Sequence, residues 1–459
     1  MRRGSRIALT TIGLLILVLI FAVWIRQTIV SRRLEELVAE AGLTWPPQYH
    51  TTVIFDERNA ATFYNQAFEL IESTPGLWTG DKANEQPQES RDEAAAYESF
   101  LDKFENNETD NLAPELNALR PWLARNEDAI ALLLEAAKLN TCDFPYEADT
   151  FFPEPLHLPS MRDAARVLQL AALISAADGD ATRAAELSWA LLRVGNHLQS
   201  DRTFLSSLVR CAIFSMAYST LMHVSPLESL PADWRARIDE ELVLYANLDT
   251  WTDLRQEKAL SLQLIQSFPT AFSEAPEPEA PTGQPATQSP PGNPFLSVLA
   301  APWLRPNVIK YLELMDEFEK SFRQPYWKAR PKLVQWDAEI STLSAFYSPA
   351  TIGLAGMTGY AKQATIARTR AFAARLGLAL AAYKEQTGSY PDDLTALVPD
   401  FIDEIPLDPF TGNPFIYRTE GVSFILYSLG PNLTDDGGIY LRGKRNQIEK
   451  DDISWRVPR

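Results

Sequence analysis

Residues 380–438 read LAAYKEQTGSYPDDLTALVPDFIDEIPLDPFTGNPFIYRTEGVSFILYSLGPNLTDDGG, and residues 450–455 read KDDISW. Upstream of and into this stretch, Ile366, Phe372, Leu376, Leu380 and Tyr383 recur at helical spacing, with Arg368, Arg370 and Arg375 available for a wetter face. Gly388 follows where a left-handed cap is usual, and Pro391 forbids the helix from resuming. Asp392 or Asp393 can then cap a short helix carrying Leu394, Leu397 and Val398. Pro406, Asp408, Pro409, Gly412 and Pro414 are a run of turn formers that no helix crosses. The pattern then predicts a hairpin: strand over Asn413–Arg418, turn at Thr419-Glu420-Gly421, strand over Val422–Leu429.

The loop after the hairpin is the candidate site. Asn432, Asp435, Asp436, Asp451 and Asp452 bracket Gly437 and Gly438. Hard cations take six to eight oxygens from carboxylates, amides and carbonyls, and glycines let the backbone turn its carbonyls inward. An acidic turn is also an ordinary solvated loop, in which adjacent Asp pairs repel unless neutralised.

Helix, GxYP turn, short helix, DPxTGxP turn, hairpin ending in Ser428-Leu429-Gly430, acidic loop and closing DIxW occur here in the order of one known family. The segment resembles the C-terminal domain of the major pseudopilin of type II secretion, over roughly a fifth of the chain. The resemblance implies an extracytoplasmic module stiffened by calcium. By position, Asn432 stands where the family has its first acidic ligand, and Asp452 matches the acid of the closing motif, before Ile453 and Trp455. Asp435 and Asp436 fall in an insertion relative to that pattern, and the amide at Asn432 departs from it by contributing no charge.

At the other end, Ile7–Ile25 is an uninterrupted run of apolar, small and hydroxyl residues. At ~1.5 Å per residue it is long enough to cross a ~30 Å hydrocarbon core. A signal peptide has a shorter apolar region ending at a small-residue cleavage site, whereas this run ends in Trp24-Ile25-Arg26. Residues 1–30 therefore read as a retained anchor. Arg2, Arg3 and Arg6 precede the span and Arg26, Arg32 and Arg33 follow it, so basic residues are nearly balanced. The N-terminus is placed inside because a calcium loop needs an exterior. A processed pseudopilin carries Gly before its apolar helix and Glu within it; Arg6-Ile7 stands at that border, and the span holds no acid. Polymerisation as a pilin subunit is not expected.

A formal charge of −18 argues against nucleic acid, which needs clustered Lys and Arg. Two cysteines, Cys142 and Cys211, give no disulfide framework or cysteine zinc site. They can pair in an oxidising compartment, or Cys211, in the apolar run Leu205–Met216, is simply buried. The four histidines show no paired metal spacing, and His197 on an apolar helix reads as a packed, hydrogen-bonded residue. No GxSxG, Walker or GxGxxG segment occurs.

Between anchor and C-terminus the pattern is helical. Leu34, Leu37, Val38 and Ala41 form a short stripe that reads as a stalk leaving the membrane. Asp81–Asp110, with ten acidic against three basic residues, reads as a solvated loop or helix surface. Helices are expected around Trp122–Lys138, Met161–Ala177, Ala181–Leu198, Phe204–Met222 and Trp234–Leu248. The pair about Asp178-Gly179-Asp180, with Ala165, Leu168, Ala172, Ala184, Leu187 and Leu191 facing one another, resembles the hairpin of tetratricopeptide-type repeats. A plain helical bundle accounts for the same stripe. Ser273–Pro294, with seven prolines, is a tether or a long surface loop. Val308, Tyr311, Leu312, Met315, Phe318 and Phe322 then resume an apolar face.

The expectation is a mostly α, α+β protein: a transmembrane helix (1–30), a helical bundle or hairpin-array domain (31–350) and a pseudopilin-like module (361–459) of a helix plus antiparallel strands. It is placed at the bacterial inner membrane with its bulk outside the cytoplasm, acting on protein partners and not as an enzyme. Calcium is held by Asn432, Asp435, Asp436, Asp451 and Asp452. The alternatives are an envelope scaffold with no secretion role, or a hydrolase within the helical domain.

Overall fold

In a computed structural model of the chain, residues 28–40, 56–72, 88–105, 112–144, 156–247, 257–262, 294–344, 356–441 and 450–456 are described, a few positions inside those stretches aside. The apolar run Ile7–Ile25 lies outside the described residues. So do most of the Pro-rich stretch and residues 442–449.

The described chain is mostly helical, with one small antiparallel sheet at its end. The helices are α1 (Ala60–Leu70), α2 (Gln88–Glu105), α3 (Ala113–Arg125), α4 (Glu127–Ala137), α5 (His157–Ala177), α6 (Ala181–His197), α7 (Phe204–His223), α8 (Ala232–Ala246), α9 (Pro294–Phe322), α10 (Tyr326–Thr342) and α11 (Met357–Thr387). Neighbours in sequence are mostly neighbours in space: α1 packs on α4, α2 on α3, α5 on α6, and α9 on α10. The α5–α6 hairpin turns where expected: Gly179 takes φ +81°, and the Asp180 carboxylate caps α6 by accepting from Arg183 N. What reads as one helix over Trp122–Lys138 is two. Asn126, fully buried, turns its side chain to the Trp122 carbonyl (2.9 Å) and to Glu72 N (3.0 Å), and the backbone breaks there.

One expectation changes and two open readings are narrowed. The stripe of Leu34, Leu37 and Val38 is not a free stalk: the three are buried at 2–7 % exposure in the common core, with Arg33 3.9 Å from Glu313 of α9. An apolar stripe is stable where it is covered, and here the common core covers it, beside α9. Of the acidic stretch, Gln88–Glu105 is a helix, the second of the two readings, and it is docked through buried Tyr97 and Phe100. Its buried Glu93 accepts both 2.7 and 3.0 Å bonds from Arg125. The Pro-rich stretch is bounded on both sides by one core, since Leu262 before it and Val308 after it are fully buried in the same cluster.

The longest apolar-rich helices set the centre. α7 is the one helix among the described residues long and apolar enough to cross a membrane, and half of it is buried within the protein. Its Arg210, 2 % exposed, donates to Asn196 Oδ1 at 2.8 Å and lies over the Tyr245 ring, so α7 reads as a core helix. α11 packs against α7, α8 and α10 and against the sheet. Small residues line it, among them Ala364, Ala367, Ala371, Ala374, Gly377 and Ala381, and these allow close approach on several sides. Its arginines are half-buried and bonded to the helical body. Arg368 donates to the Ala246 carbonyl (2.9 Å), Arg370 to Ser215 Oγ (2.6 Å), and Arg375 pairs with Asp239 of α8 (2.8 Å). That face of the helix is docked on the helical body.

α11 ends as predicted at Gly388 (φ +87°), and Asp393 caps the short helix Leu394–Leu397 by accepting from Thr395 N. The strands are β1 (Ile416–Glu420), β2 (Ser423–Ser428), β3 (Tyr440–Leu441), β4 (Lys450–Asp451) and β5 (Ile453–Arg456). The main sheet runs β1-β2-β5, all antiparallel, and β3 pairs with β4. The hairpin turns two residues later than the sequence suggests: Glu420 faces Ser423 across Gly421-Val422. Gly421, at φ +67°, stands first in that two-residue loop, where a type II′ turn demands positive φ.

Candidate metal centre

The acidic loop begins where β2 ends. Ser428 Oγ donates to Asp408 Oδ1 (2.9 Å) and accepts from Gly430 N (3.0 Å). Asp408, 2 % exposed, also accepts from Phe410 N (2.9 Å) and Thr411 Oγ1 (3.0 Å). Burial raises its carboxyl above the usual range, and these donors pull it back. Asp408 therefore clasps the DPFTG turn to the foot of the loop. In the sequence it reads only as a turn former; the Asp-Pro-x-x-Gly spacing is the signal that it also caps. Gly430 (φ +62°) cannot be replaced cheaply, because a Cβ there would stand 2.0 Å from the Asp451 carbonyl oxygen.

The five residues named from sequence come together. Asp452, fully buried, accepts through Oδ2 from Gly438 N (2.7 Å) and Asp436 N (2.9 Å). Asp436 Oδ2 accepts from Asn432 Nδ2 (3.0 Å), and Asp451 Oδ1 from Asn432 N (3.3 Å). Asp435 Oδ1 accepts from Tyr427 Oη (3.0 Å) and Gly437 N (2.9 Å). Gly437 and Gly438, both at φ above +70°, turn the backbone so that these N–H groups converge on carboxylates. Leu433, at φ +63°, is the one non-glycine among the described residues in the left-handed region.

The arrangement leaves one polar atom over. Asp452 Oδ1 is buried and has no hydrogen-bond partner among the described residues. Burial, followed by the nearby Asp436 and Asp435 charges, pushes its carboxyl up to about 6, against the pull of the Gly438 and Asp436 N–H groups. An orphaned buried carboxylate oxygen, flanked by further acids in a glycine-bent loop, fits a hard cation. One oxygen each of Asp435, Asp436, Asp451 and Asn432 accepts from a donor of the loop or from Tyr427, and among the described residues no three acids converge at metal-binding distance. The fit therefore rests on Asp452, with the other four around it.

The loop is tied directly to the helical body. Asp452 is followed by β5, whose Trp455 is 1 % exposed. Trp455 packs edge-on against Tyr218 of α7 (centroids 5.3 Å) and over Gly377 of α11, where a Cβ would meet its Nε1 at 2.5 Å. The Tyr218 hydroxyl donates to the Ser454 carbonyl at 2.8 Å.

The remaining polar candidates have structural roles. His197 is buried: its Nε2 faces the Leu139 carbonyl (2.9 Å), which only accepts, so Nε2 carries the proton and Nδ1 accepts from Tyr64 Oη (2.8 Å). Burial, then the nearby Arg193 charge, depresses it to about 3. Asp201 stands between His157 Nε2 (2.7 Å) and Ser206 Oγ (2.9 Å), so the hydroxyl meets a carboxylate and not the imidazole. His223 Nδ1 lies 2.6 Å from the Ser219 carbonyl, and His50 lies outside the described residues. Cys142 and Cys211 are both free and buried, and burial pushes the Cys211 thiol up to about 12.

No protein-family model, curated protein or solved structure matches this chain.

Proposed function

We propose that this chain is a bacterial, membrane-anchored, envelope-facing binding protein whose C-terminal module is braced by calcium. The observation that carries the reading is the orphaned, buried Asp452 Oδ1 in a loop of five oxygen-bearing residues, one residue before the strand that docks on α7 and α11. Asp452, Asp451, Asp436, Asp435 and Asn432 would hold the cation. When bound, calcium supplies the positive charge that this cluster of carboxylates lacks. Extracellular calcium modules bind at ~10⁻⁴–10⁻³ M, where calcium is plentiful, so the calcium reading supports a body outside the cytoplasm with Ile7–Ile25 as its single span in the inner membrane. Protein partners, with a link to type II secretion, follow from the pseudopilin-like order of turns. Nucleic acid is disfavoured by the net charge of −18, and no catalytic role is assigned.

A specific observation favours the scaffold version of this reading over a secretion subunit. In a pilin one helix runs from the membrane span into the sheet, whereas α11 here is enclosed by α7, α8 and α10. The module is a built-in wall of the helical body.

The test is thermal unfolding of the full chain in neutral detergent with calcium raised to about 5 mM, beside magnesium and beside Asp452→Asn. A ligand bound only by the folded state at about ten times its Kd contributes ~1.4 kcal/mol, a rise of roughly 1–3 °C in a protein of this size. The rise should occur with calcium, not magnesium, and be absent in Asp452→Asn. An unchanged melting temperature in the wild type removes the calcium site and the topology that depends on it.

A further inference from the structure

Helix α10 has two apolar faces, and one of them is uncovered. Ala329, Leu333 and Trp336, at helical spacing, are buried against α9 and α11. Trp327, Pro331 and Val334 repeat that spacing on the opposite side, with Trp327 43 % and Val334 62 % exposed. A helix that is apolar on both sides is ordinarily enclosed on both. Cations border the exposed ridge, Arg330 on one flank and Lys328 and Lys332 on the other, with Arg323 just before the helix. From Arg323 to Trp336 there is no acid, in a chain whose formal charge is −18. Among the described residues none of these four cations pairs with a carboxylate, whereas nearby Lys320 pairs with Asp316 and Lys310 with Glu339.

We infer that this ridge of α10 is the docking surface for an acidic segment of a protein partner, with carboxylates for Arg330, Lys328 and Lys332 and an apolar side chain against Trp327 and Val334. This rests on the reading of the chain as a binding protein, but not on the calcium loop. Charge complementarity selects the partner's sign: the acid-free, cationic stretch from Arg323 to Trp336 attracts carboxylates and repels basic side chains at close range, although the molecule as a whole is acidic. Trp and Arg beside one another are the residues that dominate binding energy in protein interfaces. The indole also argues for a protein and against a lipid surface. It does not project: Lys328 Nζ sits 4.7 Å over its ring, and a Cβ on Gly412 of the neighbouring turn would lie 2.6 Å from it. A ring pinned flat offers a platform for a side chain and cannot insert among lipid headgroups without leaving that turn.

The experiment uses the full chain in neutral detergent and a fluorescein-labelled peptide of glutamates around a central leucine pair, read by anisotropy. Binding should weaken about tenfold or more between about 0.05 and 0.5 M salt, as screening of exposed charges requires. It should also weaken at least about tenfold in Lys328→Glu/Arg330→Glu/Lys332→Glu and severalfold in Val334→Ser, all surface changes with little effect on folding. Absent binding, or equal binding by wild type and charge-reversed chain, overturns the proposal. So does a lipid result: in nanodiscs, quenching by brominated anionic lipids that falls to the level set by Trp24 of the span in Trp327→Phe and in the charge-reversed chain would assign the ridge to the membrane. The calcium-dependent melting shift is read on the same variants. Absence of peptide binding by the wild type with that shift intact overturns this surface and leaves the calcium reading standing.

Discussion

Asp452 illustrates how one side chain's surroundings set its energetics. With its carboxyl raised to about 6, the folded protein holds a proton that the unfolded chain has already released. This group's contribution is therefore full below the ordinary carboxylate range and is lost as pH rises toward about 6. At pH 7.4 without calcium, Asp452→Asn should stabilise the protein by on the order of 1–3 kcal/mol, measured by chemical denaturation. A destabilised variant would mean that the ionised carboxylate is welcome where it stands. His197 has the opposite sign. Its folded value of about 3 lies below the ordinary 6.5, so stability present above 6.5 is lost as pH falls through that window, by up to ~1.4 kcal/mol per pH unit. His197→Gln keeps a donor for Leu139 and an acceptor for Tyr64. It should shrink the loss of stability between pH 7 and pH 5 by about 1–2 kcal/mol relative to wild type. An identical pH dependence in the two proteins would show that His197 is not the titrating group. The five oxygen-bearing residues were legible from composition and glycine spacing alone. That one oxygen of Asp452 is left over was not, because it depends on where the N–H groups of Asp436 and Gly438 point.

At the scale of elements, the contact that unites the two halves is Trp455 of β5 on Gly377 of α11. Gly377 has no room for a Cβ, so Gly377→Ala should cost ~1–3 kcal/mol by forcing the indole aside. Trp455→Ala should cost ~3–5 kcal/mol through the cavity left beside Tyr218. In the double variant the two costs should fall well short of adding, because the alanine methyl enters space the indole vacated. Additive costs would separate the sites. The sequence marks the end of α11, its glycine cap and the hairpin clearly, since these depend on local backbone chemistry. The hairpin turn slips by two residues because Thr419 and Glu420 join β1, and Gly421 is the residue that supplies the φ the turn needs. Arg368, Arg370 and Arg375 read as a wet face for a related reason: charge predicts water until a neighbouring helix supplies Ala246 O, Ser215 and Asp239.

At the scale of the whole molecule, α11 belongs as much to the helical array as to the sheet. A fragment of 357–459 would strip α7, α8 and α10 from it and Tyr218 from Trp455. That fragment should unfold without a cooperative transition and bind a hydrophobic dye, and co-expression with 28–344 should restore cooperativity. Sharp melting of the isolated fragment would show that the sheet and α11 are self-sufficient. The same packing explains the α10 ridge, since the buried face of that helix is taken by α9 and α11 and the other face is left to a partner.

Features that rest on neighbours along the chain are legible before any packing is known: the helix periodicities, the turn at Gly179, the caps at Gly388 and Asp393, the hairpin and the glycine-bent acidic loop. The tertiary structure alone decided which apolar faces are covered, where α11 sits, that the stripe at Leu34 is docked and that Asp452 has an oxygen to spare. Caps and turns are paid for by bonds a few residues apart, whereas burial is set by chain segments hundreds of residues away, as Tyr218 and Ser454 are.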